Sequence, residues 1–152
     1  MGIKNKFPTI LLLVSVFALA SQMLIGSNYA EAATVNSQIQ KDAGHMTCKD
    51  DPTKLKINEF YLDAKTNDEG KWDGEFGITQ ESQGADLKID EGKVTTDTYE
   101  FKSTAEDTTG NCNDEPGTKG TLKGSCGDDV SIKYESELGT VYEIKGKVTC
   151  TQ

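Results

Sequence analysis

The stretch GNCNDEPGTKG, residues 110–120, gathers carboxylates, amides and a cysteine into one short run. Asp107, Asn111, Asn113, Asp114 and Glu115 offer oxygen atoms, and calcium takes six to eight such ligands. The D-x-[DN]-x-[DN]-G order of a helix–loop–helix calcium site is absent, however, and no glycine stands at its turning position. The residues read instead as a solvated loop in which Pro116-Gly117 makes a tight turn and Cys112 is the anchor. DAKTNDEGKWDGE, residues 63–75, raises the same question with Asp63, Asn67, Asp68 and Glu69. Lys65 stands there where a calcium loop needs an oxygen, so Asn67-Asp68-Glu69-Gly70 reads as a hairpin connection. No metal and no cofactor is expected.

His45, Met46 and Cys48 suggest copper, but a blue-copper site needs two histidines and a thiolate, and the chain has one histidine. A Ser-His-Asp arrangement has only His45 to draw on. There is no G-x-S-x-G and no phosphate-binding glycine loop. No catalytic residue is assigned and a non-enzyme is expected. A pair of carboxylates suffices for a glycosidase, so a small carboxylate-based glycan hydrolase stays as an alternative. Tyr61 and Tyr99 share segments with Phe60 and Phe101, and an outward tyrosine would offer a face to a sugar ring or a partner protein.

These groups need a scaffold. Lys4 and Lys6, then the apolar run TILLLVSVFALA (residues 9–20), then Ala30-Glu31-Ala32, follow the order of a secretory signal peptide, residues 1–32. After cleavage no stable membrane insertion is expected. Sixteen lysines and 25 acids give the chain a net charge of −9; loss of Lys4, Lys6 and Glu31 leaves 14 lysines and 24 acids, or −10. There is no arginine, so a nucleic-acid partner is not expected. The partner expected is an extracellular protein or a glycan.

Cys48, Cys112, Cys126 and Cys150 form an even set in an exported chain, which indicates two disulfides. Cys126 and Cys150 end inward-facing runs on strands two apart in a meander of 119–126, 129–137 and 140–150. Flat-sheet geometry sets those strands about 9–10 Å apart, too far for a disulfide. The pairing expected is therefore Cys112–Cys126 with Cys48–Cys150.

Residues 33–47 are polar and read as a flexible leader or an extended arm; 48–152 read as one disulfide-stabilised β domain. KLKINEFYL (54–62) changes parity between Ile57 and Phe60, the mark of a bulge or of a strand buried on both sides near its end. KWDGEFGIT (71–79), ADLKID (85–90) and the C-terminal meander alternate as strands do, and GKVTTDTYEFKST (92–104) is rich in Thr, Val, Tyr and Phe, which suit a pleated surface. Gly127-Asp128-Asp129 and Leu138-Gly139 supply turns to that meander. The fold expected is all-β, an antiparallel β-sandwich of about seven strands, with an immunoglobulin-like sandwich or a small barrel as variants. The order Cys48, Trp72, Cys112 follows the immunoglobulin Cys…Trp…Cys order only loosely.

Together these features describe a secreted or cell-surface, acidic, non-catalytic binding or cell-envelope protein. A self-assembling structural subunit that donates residues 33–47 as a strand is the other alternative.

Overall fold

The computed structural model describes residues 32–81, 83–108, 112 and 114–152, so the expected signal peptide, apart from Ala32, lies outside the described residues. Eight strands run in chain order: β1 (Thr34–Cys48), β2 (Asp51–Thr66), β3 (Trp72–Thr79), β4 (Gly84–Val94), β5 (Thr98–Asp107), β6 (Lys119–Ser125), β7 (Gly127–Ser136) and β8 (Val141–Thr151). Each pairs antiparallel with the next, and β1 pairs with β8 to close a barrel. The sandwich expectation is therefore corrected to a closed meander of eight strands. Closure removes the open sheet edges that a sandwich would have to protect. Among the described residues no helix is long and apolar enough to cross a membrane.

The added strand is β1, in the segment read as a leader or arm. It is paired on both sides, with Val35 opposite Ala64 of β2 and opposite Cys150 of β8. Its alternation was hard to see because Ser37 occupies an inward position and a bulge interrupts it between Gln40 and Gly44. Lys41 and Asp42 take positive φ values of 57° and 49° inside that bulge. The parity change in β2 falls at the same level: Ile57 and Phe60 are both buried, and the register with β1 shifts between them. The run 92–104 also divides, since β4 ends at Val94 and β5 starts at Thr98, with Thr95 N donating to Thr98 O at 2.8 Å.

The barrel has two ends. At the upper end lie the β1–β2, β3–β4, β5–β6 and β7–β8 connections; at the lower end lie β2–β3, β4–β5 and β6–β7. The disulfides are Cys48–Cys112 at the upper end and Cys126–Cys150 at the lower, with Cα separations of 5.5 and 5.9 Å. This corrects the expected pairing. The meander argument placed Cys126 in the first strand, two strands from β8. In the barrel β6 stops at Ser125 and Cys126 is itself the turn. Gly127 already pairs with Val148, so Cys126 stands one strand from Cys150 and the bridge is short. Gly127-Asp128-Asp129, expected as the turn, belongs to β7. Two disulfides fit an oxidising, extracytoplasmic environment.

Inward residues of all eight strands form one core, with Phe60, Phe76, Phe101, Leu122 and Tyr134 fully buried. Aromatic rings fill the lumen: Tyr134 lies 5.4 Å from Phe76 and 4.8 Å from Tyr142, and Phe101 lies 5.0 Å from Trp72. An eight-stranded barrel is just wide enough for side chains to fill it or for one small ligand. This one is filled.

Candidate functional site on the outer wall

A cavity of about 10 Å³ under the upper end is lined in part by Met46, Leu87, Asp114 and Thr140. That is room for about one water, not for an organic ligand. Chemistry with a larger partner therefore belongs to the outside.

Alternation turns Tyr61 of β2 outward, between the buried Phe60 and Leu62. Opposite it on β3 stands Gly77. A Cβ built on Gly77 would lie 2.5 Å from the Tyr61 hydroxyl oxygen and 2.6 Å from its Cε1, so the ring lies across the place where a side chain would stand. Glycine at 77 is what lets the tyrosine fold down over β3. The ring reaches β4, where its hydroxyl donates to Asp86 Oδ1. Partial burial, then the hydrogen bond to Asp86, then the charges of Asp86, Glu75 and Glu106 push the Tyr61 pKa well above its ordinary value. The phenol stays a neutral donor, pinned at one end and half-exposed along its length.

One level below, Asn36, Asp63, Glu75 and Lys88 stand side by side on β1 to β4. Asp63 and Glu75 are directly opposed and both exposed. Like charges in that position destabilise a sheet, so something other than stability must favour the pair. The Asn36 amide, turned to donate, reaches Asp63 Oδ1 at 2.9 Å and holds it. The ion pairs among the described residues engage other groups, such as Lys56 with Asp42 and Lys133 with Glu135; none involves Asp63, Glu75 or Asp86. Asn36, Tyr61, Asp63 and Glu75 border a groove of about 490 Å³, completed by Gln38 and by Lys147 and Thr149 of β8.

A second groove, of about 560 Å³, adjoins it on β3. Trp72, Asp73, Lys88 and the bulged Asp90–Glu91 segment of β4 line it. Trp72 packs edge-on against Phe101 and stays half-buried.

Of the residues singled out from sequence, Tyr61 points outward as expected, whereas Tyr99 is buried in the lumen, 5.6 Å from Phe101. Asp107 and Asp114 meet at the upper cavity, where Ser136 Oγ donates to Asp114 Oδ1 at 2.9 Å. Asn111 and Asn113 lie outside the described residues. Asn67 serves its own turn, accepting from the amides of Glu69 and Lys71 at 2.9 and 3.0 Å. His45 is exposed on β1, opposite Lys56 and Glu143. Among the described residues no group of three or more His, Cys, Asp or Glu could hold a metal. Asn36, Gln38, Glu75 and Lys147 were not found by sequence reasoning, because they converge only once β1 is placed beside β2 and β8. Comparison with family models, with curated proteins and with solved structures gives no match, so a functional reading has to rest on the chemistry of this wall.

Proposed function

We propose that the protein is a secreted, non-catalytic binding protein that meets an extracellular protein or glycan through the outer wall of β8, β1, β2 and β3. The observation that carries this reading is Tyr61: an aromatic ring laid over Gly77, tethered to Asp86, beside an opposed pair of carboxylates that no lysine neutralises in an ion pair. A filled lumen leaves the outside as the place for recognition. The test is amide-shift mapping of the oxidised protein against panels of peptides and of saccharides. Perturbations centred on β1 to β3, with no product released, support the reading. Perturbations centred on β5 to β7 would sink it.

A carboxylate-based hydrolase is favoured by one observation, the opposed Asp63 and Glu75, because retaining glycosidases keep their carboxyl groups about 5–5.5 Å apart. Yet a general acid must be kept protonated by burial, and both groups are exposed. Reducing-sugar release that disappears in Glu75→Gln would move us to that reading. A subunit donating residues 33–47 would have to pull β1 away from both β2 and β8, so that alternative is not favoured.

A further inference from the structure

The two wall grooves share a margin, and Tyr61 is the aromatic anchor of the first. Glu75 borders the first and Asp73 the second, and these residues are neighbours on the outer face of β3, about 7 Å apart. A ligand lying along β3 would pass from Tyr61 over Glu75 and Asp73 to the Asp90–Glu91 segment without leaving the barrel surface. Each groove is within the size range of small-ligand sites.

Charge selects among ligands. Asp63 and Glu75 in the first groove, and Asp73, Asp90 and Glu91 in the second, repel an anion. Lys147 in the first, and Lys71 and Lys88 in the second, work against a dense cation. Both grooves therefore suit a ligand that is polar and uncharged. The Asn36 and Gln38 amides each carry donors and acceptors, and a carboxylate accepts from two adjacent hydroxyls at once. An aromatic face takes the apolar side of a ring whose rim is polar.

We infer that the wall binds a linear, neutral oligosaccharide laid along β3, with one ring on Tyr61 and later rings in the second groove, beside Asp73 and Lys88. This rests on the reading of the wall as a binding surface and gives its ligand class.

The test titrates the oxidised protein with cello-, manno- and chito-oligosaccharides of increasing length, from a single ring upward, and with neutral and basic peptides in parallel. For at least one saccharide series, affinity rises with length. The amides of Gln38, Asp63 and Glu75 shift first, and those of Lys88 to Gly92 join as the chain lengthens. Tyr61→Ala weakens every length by about tenfold. Gln38→Ala, on an exposed side chain, weakens binding several-fold and covers the case in which Tyr61→Ala fails to fold. Lys133→Ala on β7 changes nothing. The inference is overturned if no saccharide shifts the wall, if longer chains bind no tighter than one ring, or if neither substitution weakens binding. Peptides shifting the wall while saccharides do not would remove the inference and leave the proposed function standing. Silence from both panels would remove both.

Discussion

The two ends of the barrel are closed by different physics. The upper end is knitted by polar links. Ser136 Oγ donates to Asp114 Oδ1 and accepts from Thr140 N, at 2.9 and 3.0 Å. Thr118 Oγ1 accepts from Glu115 N at 3.0 Å, while the Gly117 amide and Ala105 carbonyl, and the Ala105 amide and Thr118 carbonyl, bond at 2.8 Å each. The lower end is plugged by rings, Trp72 on Phe101 on Tyr99, above short turns. The contrast follows from what each end carries. A long connection such as β5–β6 brings backbone groups that must be satisfied, so its end supplies hydroxyls to them. Short turns satisfy their own backbone and leave the lumen free for aromatic packing. The candidate binding wall runs down the side between the two and inherits rigidity from both.

The largest test of the contrast removes each staple in turn. Cys48 and Cys112 are separated by 64 residues, and Cys126 and Cys150 by 24. In the chain-entropy model these bridges contribute about 4 and about 3.5 kcal/mol. The double variant Cys48→Ala/Cys112→Ala should therefore melt slightly lower than Cys126→Ala/Cys150→Ala, both falling by roughly 10–15 °C. Hydrogen exchange separates the ends more sharply. Loss of the upper bridge should speed exchange at the Ala105 and Gly117 amides and leave the Cys126 amide, bonded to Asp97 O at 2.8 Å, slow until global unfolding. Equal acceleration at both ends would mean that the barrel opens as one unit.

A smaller pair of substitutions asks what each end relies on. Trp72→Ala should cost about 2–3 kcal/mol, below the range for a fully buried ring because Trp72 is half-buried. Ser136→Ala should cost about 1–2 kcal/mol, since it leaves the Thr140 amide and one Asp114 oxygen without their partner. Denaturant midpoints give both values. A Ser136→Ala loss larger than that of Trp72→Ala would reverse the description of the two ends.

How far the sequence shows all this depends on the register of evidence in each strand. In β7 and β8 the inward residues Ile132, Tyr134, Tyr142, Ile144 and Val148 are large and strictly alternate, so both strands are legible. In β1 the inward set is Val35, Ser37 and Ile39, followed by a bulge and the small Ala43, so alternation fades where the strand is most irregular. Missing β1 turned a barrel into a sandwich. The disulfide error had another source: a turn of a single residue at Cys126 cannot be read from a pattern that expects Gly-Asp-Asp to be the bend. The wall was half legible. Tyr61 was visible as a candidate, but Tyr99, the other tyrosine singled out, points inward. Parity separates them: Tyr61 is adjacent to the inward Phe60 and so faces out, whereas Tyr99 stands two residues from the inward Phe101 and shares its face.

The finest test compares one buried tyrosine from each end. The Tyr99 and Tyr134 hydroxyls find no hydrogen-bond partner among the described residues. An unsatisfied buried hydroxyl is a cost, so Tyr99→Phe and Tyr134→Phe should each stabilise by about 1 kcal/mol at neutral pH. Burial is the first cause that raises the pKa of both, and it also raises Tyr142, while Asp114 adds to the effect at Tyr134 and Tyr142. A raised folded pKa means that above pH 10 the unfolded chain loses protons that the folded chain keeps. The stability tied to these protons is therefore complete below pH 10 and declines as pH rises toward the folded values, by about 1.4 kcal/mol per pH unit for each tyrosine. Each Phe substitution should remove one of those contributions and flatten the alkaline limb of an unfolding titration. If Tyr134→Phe destabilises at neutral pH while Tyr99→Phe does not, a bound water is satisfying the upper hydroxyl, and polar linkage at that end extends into the lumen.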